Sequence, residues 1–133
     1  MTKNFLFVII IGLRLAYHPV TSPAITPFAS PATTQTTTPA KLLSVNASVE
    51  ENKVILDWTV GENETAYQFE VEKSTDGKNF ITTALVFGSD KPQTDKYQFF
   101  EKAGKYKISY RIKLVNKDQK TEYSPVVQVN PKA

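Results

Sequence analysis

The chain of 133 residues has no cysteine. That excludes disulfides, thiolate nucleophiles and cysteine-ligated zinc. It also excludes a lipid anchor of the kind that needs a cysteine at its cleavage point. Histidine occurs once, as His18, so a serine nucleophile in the folded part would need a lysine base, and no such motif is present. No apolar run approaches the roughly 20 residues of a transmembrane helix. The stretch "FLFVIIIGL" covers residues 5–13 and is stopped by Arg14. No segment keeps helical spacing of apolar residues over more than two turns. One-sided charge is missing as well: from Lys41 onward there are 14 basic and 13 acidic residues, a net of +1, without a Lys/Arg block. A nucleic-acid partner, which calls for basic residues concentrated on one face, is not expected.

What is present begins with an export pattern. Lys3 precedes the apolar run, as the basic start of a secretory signal precedes its hydrophobic core. Ser22-Pro23-Ala24 is the best small-x-small match for cleavage, which gives a signal peptide over residues 1–24, with an uncleaved N-terminal segment as the alternative. Residues 17–40 hold five prolines and seven threonines, with prolines at 19, 23, 27 and 31. A proline every four residues prevents both helix and paired strand. Residues 25–41 therefore read as an extended, disordered Pro/Thr-rich spacer.

From Leu42 the pattern changes to short alternating runs. Leu43, Val45, Ala47 and Val49 share one parity, and "VILDWTV" puts Val54, Leu56, Trp58 and Val60 on one face. Tyr67, Phe69 and Val71 come next, then a run from Phe80 to Phe87, then Tyr97 and Phe99. "YKISYRIKL" aligns Tyr106, Ile108, Tyr110, Ile112 and Leu114, and "YSPVVQV" closes with Tyr123, Val127 and Val129. Period-two alternation gives each strand a buried and a solvated face. Turn residues separate the runs at Glu50-Glu51-Asn52, Gly61-Glu62-Asn63, Asp76-Gly77, Gly88-Ser89-Asp90, Ala103-Gly104 and residues 116–120. The expectation is an all-β domain over residues 42–130, a seven-stranded antiparallel sandwich.

The motifs "VILDW", Glu62-Asn63, "FEVEKSTDGKNF", "YRIK" and Tyr123-Ser124, taken in order, resemble a fibronectin type III-like (immunoglobulin-like) domain of the kind found in secreted Bacteroidetes proteins. The resemblance covers nearly all of the folded part. It implies a fibronectin type III-like β-sandwich with Trp58 at its centre, and modules of this kind serve as spacers, adhesive units and enzyme appendages alike. The last hairpin departs from the family pattern, since Asp118-Gln119 stands where Asp-Gly is frequent, so a different turn is expected there.

Candidate sites resolve mostly into structural roles. "STDGKN" offers one carboxylate between Lys73 and Lys78, too few oxygens for a calcium loop, and Asp-Gly between alternating runs marks a turn. Glu70 and Glu72 resemble a carboxylate pair for glycoside hydrolysis, but their parity puts them on a solvated strand face. Phe87 and Phe100 break the alternation near strand ends and are expected in core or crevice packing, with exposure as the alternative. Asn46-Ala47-Ser48 and Asn63-Glu64-Thr65 match the N-glycosylation pattern, which is common by chance. Lys105, Lys107, Arg111 and Lys113 share the outward parity and form a cationic stripe; the fibronectin-like resemblance implies that this strand pairs with the one carrying Gln68, Glu70 and Glu72, whose carboxylates are expected to neutralise it. No catalytic, cofactor-binding or metal-ligating residue is assigned, no cofactor is implied, and the binding residues are unknown. The sequence points to a non-catalytic exported module, secreted or periplasmic. Its partner is a protein or a cell-surface glycan, and a membrane is involved only through an uncleaved N-terminal segment. The alternative is an accessory subunit of a polysaccharide-degrading system.

Overall fold

Residues 53–61 set the apolar Val54, Leu56, Trp58 and Val60 at alternate positions, with Lys53, Asp57 and Thr59 among the residues between them, a pattern that fits a half-buried pleated surface. In the computed structural model, which describes residues 36–131, they form a strand with Val54, Leu56, Trp58 and Val60 all buried. The strands are β1 (Lys41–Glu50), β2 (Lys53–Gly61), β3 (Ala66–Ser74), β4 (Ile81–Phe87), β5 (Asp95–Lys102), β6 (Ile108–Asn116), β7 (Thr121–Tyr123) and β8 (Val127–Val129). One sheet has the order β1-β2-β5; the other has the order β4-β3-β6-β7, with β8 also on β6. Every pairing is antiparallel. The sheets face each other across one core, with Leu56, Trp58 and Val60 on one side and Phe69, Val71, Tyr110, Ile112 and Leu114 on the other. The fold is a two-sheet antiparallel β-sandwich.

Trp58 sits at the middle, 1% exposed, stacked on Tyr97 at 5.8 Å and tilted against Phe69 at 5.7 Å. Its indole Nε1 is buried and finds no hydrogen-bond partner among the described residues. Ordered packing starts earlier than the expected boundary at residue 42. Ala40 is buried, and its N–H donates to Asn116 Oδ1 at 3.0 Å. The chain thus enters beside Gly61, opposite Lys41, and it leaves at Pro131 beside Glu51 and Asn52, at the far end of β1. The signal peptide over residues 1–24, His18 and most of the spacer lie outside the described residues.

The described residues form eight strands where seven were expected, because the closing run divides at Pro125. Lys113 pairs with Tyr123 and Tyr110 with Val127, so the closing segment carries one extra residue relative to β6. Proline has no N–H for the ladder, and Ser124 bridges the gap. Its N–H donates to Ile112 O, and its hydroxyl accepts from Ile112 N, each at 2.8 Å.

Three further bulges move side chains that simple alternation places inward. An added residue reverses the facing of the residues after it. Leu43 at the β1 bulge is 57% exposed, with Leu42 turned inward instead. Tyr67 at the β3 bulge is 48% exposed, with Ala66 buried beside it. The third bulge falls at Thr83 in β4. Tyr106 precedes β6 and is exposed, and Tyr123 is half exposed at the end of β7.

Candidate binding face

The outer face of the five-stranded sheet is built from the residues that alternate with the core. β3 contributes Gln68, Glu70 and Glu72, which lie opposite Val115, Lys113 and Arg111 of β6, and opposite Phe87, Leu85 and Thr82 of β4. Opposite charges face each other across neighbouring strands. Arg111 Nε donates to Glu72 Oε2 at 2.5 Å, and Lys113 Nζ donates to Glu70 Oε2 at 3.2 Å. The bond to Glu70 also raises the Lys113 pKa above its ordinary value. The expected pairing of this strip with Glu70 and Glu72 is therefore present, but for Arg111 and Lys113 alone. Lys105 and Lys107 lie before β6 begins, both exposed.

Arg111 also gathers aromatic rings. Its guanidinium lies 4.2 Å from the centroid of Phe80 and 4.4 Å from that of Tyr123, close enough for cation–π attraction to both. Phe80 comes from the loop before β4 and Tyr123 from the end of β7, so three segments meet on one open face. Tyr123 and Val126 beside it are about half exposed. Towards β4, Tyr67 meets Phe87 edge-on at 6.3 Å. Phe87 is 63% exposed and Phe100 is 62% exposed, so neither takes part in the core or crevice packing expected of it. Phe87 shares its facing with Leu85, and Phe100 lies on the outside of the other sheet with Lys53 5.6 Å from its ring.

The other candidate residues are structural. Asp76 Oδ1 accepts from the N–H groups of Lys78 and Asn79 and from the Ser74 hydroxyl, each at 2.8 Å, and Oδ2 accepts from Asn79 Nδ2 at 2.7 Å. These donors, the backbone N–H groups first, hold its pKa well below the usual carboxylate range. Gly77 has φ of 74°, the left-handed region that glycine adopts freely. Asp76-Gly77 is a turn. Asn63 is fully buried. Its Nδ2 donates to Ser89 Oγ and to Lys91 O, its Oδ1 accepts from the Tyr97 hydroxyl, and its N–H donates to Gln93 O. The amide that a glycosylation pattern would expose is spent on pinning the 88–94 loop, which carries the chain from one sheet to the other. Sequence reasoning did not find that role; the Gly61-Glu62-Asn63 turn pattern was its one signal, and the structure adds that Asn63 is buried behind a left-handed Glu62. Asn46, in the other matching tripeptide, is exposed on β1.

At the opposite end of the core Glu101 points inward from β5. It accepts from the Tyr110 hydroxyl at 2.5 Å and from Lys73 Nζ at 3.1 Å, tying the two sheets together. Burial and this bond raise the Tyr110 pKa well above 10. A depression of about 540 Å³ opens where the chain enters, lined by Thr38, Pro39, Leu43, Gln93 and Glu122 among others. Among the described residues no cluster of three or more His, Asp or Glu is placed to hold a metal ion, and no helix is long and apolar enough to cross a membrane.

No family model and no curated protein matches the chain. Among solved structures it is similar to the crystal structure of pectate lyase Pel3 from Pectobacterium carotovorum, with a TM-score of 0.50 and 19% identity. The match covers 67% of this chain and 26% of that one, so the chain spans about a quarter of the lyase. That likeness is one of fold.

Proposed function

We propose that the chain is an exported, non-catalytic β-sandwich of fibronectin type III-like kind, acting as a binding or structural module outside the cytoplasm with a protein or a cell-surface glycan as its partner. The observation that carries the reading is the strip Phe80–Arg111–Tyr123 on an open sheet face. A guanidinium stacked against two rings and paired with a carboxylate is held in place before any ligand arrives, which lowers the ordering cost of binding. The half-exposed Tyr123 ring offers an apolar body with a polar tip, a combination suited to both protein and sugar surfaces. The Glu72 and Glu70 pairs leave the strip without net charge, which favours a neutral partner over a polyanion. The test is retention of glycans, and of proteins from the chain's own cell envelope, by the full chain and by Tyr123→Ala. Retention by the wild type and its loss in the variant, at unchanged melting temperature, is expected. Equal retention by both, or none by either, overturns the reading.

A second reading is favoured by the likeness to a pectate lyase, a fold shared with part of a polysaccharide-degrading enzyme. In it the chain is an accessory subunit of such a system, with weak glycan affinity. Measurable binding to pectate, dependent on Tyr123 and without turnover, would select it over the first.

A further inference from the structure

β4 is an outer strand of its sheet, paired on one side with β3. Its hydrogen-bond phase can be read from its end, where Gly88 N–H donates to Tyr67 O at 2.9 Å. Antiparallel pairs alternate between bonded and non-bonded, so Val86 and Ala84 turn their backbone groups towards β3. Leu85 and Phe87 turn theirs the other way, where no described residue meets them. A Cβ at Gly88 would run into the carbonyl oxygen of Ala66, so the strand is held against β3 up to its last residue.

The other outer strands are guarded. β1 carries Lys41 and Glu50 at its ends and a bulge at Leu43. β5 has Asp95, Lys96, Glu101 and Lys102 within eight residues. β7 and β8 are three residues each and are separated by Pro125. Charges, prolines, bulges and short length are the devices that keep sheet edges from pairing with other chains. β4, "ITTALVF", has no charge and no proline, and its one device, the Thr83 bulge, leaves residues 84–87 regular. Two of those four, Leu85 at 54% and Phe87 at 63%, expose large apolar side chains.

We propose that β4 is a strand-addition site whose occupant is β4 of a second copy of this chain, antiparallel about a twofold axis at Val86. A second copy is the occupant that the strand's own face matches. β4 meets itself with no charge to oppose the pairing, and its exposed Leu85 and Phe87 supply apolar partners for each other. The register is set by the backbone phase. With the axis at Val86, Leu85 of each copy lies opposite Phe87 of the other, and both exchange their free N–H and C=O groups. Their side chains then lie together on the same outer face. An axis at Leu85 would instead set Phe87 against the bulge at Thr83. The contact adds main-chain bonds for affinity and apolar side chains for register, as in other strand additions. It does not rest on the Phe80–Arg111–Tyr123 strip.

Sedimentation of the full chain over a wide concentration range should show a monomer–dimer equilibrium. The double variant Leu85→Lys, Phe87→Lys should raise its dissociation constant roughly tenfold or more. The wild-type chain has no thiol of its own, so introduced cysteines report position. Opposed residues of a bonded antiparallel pair have Cα atoms about 5.5 Å apart, within disulfide reach. A mixture of Leu85→Cys and Phe87→Cys should therefore cross-link as a mixed dimer faster than either variant alone, and faster than Phe100→Cys on the other sheet. A chain that stays monomeric at every concentration, a dimer that survives both lysines, or cross-linking no faster than at Phe100 would each overturn the proposal.

Discussion

The Tyr110 hydroxyl, from the central strand of one sheet, donates to the Glu101 carboxylate on the edge strand of the other at 2.5 Å. With Lys73 on the same carboxylate, the pair closes one end of the core by polar contacts. Tyr110→Phe removes the donor and keeps the ring, so the expected loss is about 1–2 kcal/mol in chemical denaturation, the range for a hydrogen bond to a charged group. Glu101→Gln should lose a similar amount, and the double variant less than the sum of the two. Because the Tyr110 pKa is raised, its contribution is complete below about pH 10, the ordinary tyrosine value, and is lost as pH rises further. Tyrosinate absorbance from Tyr110 should accompany unfolding rather than precede it.

Trp58 fills the centre between Tyr97 and Phe69. Trp58→Ala is expected to cost about 3–5 kcal/mol, as for other large-to-small changes in a core. Trp58→Phe should cost clearly less, since the indole N–H that the smaller ring lacks has no partner among the described residues. Equal losses in thermal unfolding for the two variants would contradict this packing.

Glu51 and Asn52 join β1 to β2 with φ of 45° and 64°. Both central residues of this two-residue hairpin are left-handed, the conformation for which Asn-Gly is the preferred pair. The substitutions Glu51→Asn and Asn52→Gly together should raise stability by roughly 0.5–1.5 kcal/mol, because Glu is strained at positive φ and Gly relieves the smaller strain that Asn carries there. Differential calorimetry would show it as a higher melting temperature with the same cooperativity.

The lowered pKa of Asp76 sets a direction for acid behaviour. A carboxylate stabilised in the folded state contributes above its unfolded pKa of about 4, and the contribution is lost as pH falls through the folded value. The wild type should lose stability on acidification below pH about 4. Asp76→Asn should be less stable at neutral pH and show a flatter acid limb in a series of melts.

Deleting residues 1–35 should leave a chain that unfolds cooperatively, since every described strand lies after Ala40. Beginning the chain at Lys41 instead should cost about 1–2 kcal/mol, because the deletion strips the buried Asn116 amide oxygen of its donor. Denaturant titration of the two fragments would separate them.

The two-sheet architecture and the Trp58 face could be read from alternation, since period two survives wherever a strand stays regular. Leu43 and Tyr67 were misplaced because a bulge is one added residue with no mark in composition. Its effect is felt only through the partner strand, which the sequence does not show. Pro125 was a visible break within the closing run, and giving its missing N–H full weight separates β7 from β8. The binding face was half legible. Parity turned Glu70, Glu72, Arg111 and Lys113 outward and the fibronectin-like resemblance set their strands side by side, but the closure of Phe80 and Tyr123 on Arg111 joins residues 43 apart in sequence, and local patterning says nothing of such a meeting. Asn63 was hidden for the same reason, since its partners lie in the 88–94 loop and at Tyr97 of β5, well beyond the reach of local patterning.

Ala40 and Pro131 mark opposite ends of β1, whose ten residues span about 30 Å at 3.2–3.4 Å each. A pull between them runs parallel to the strands. It drags β1 lengthwise against β2 and β8 lengthwise against β6, so the hydrogen bonds of each ladder share the load instead of parting one after another. Joined in series through these two points, such a sandwich transmits tension with little extension until a whole ladder gives way at once.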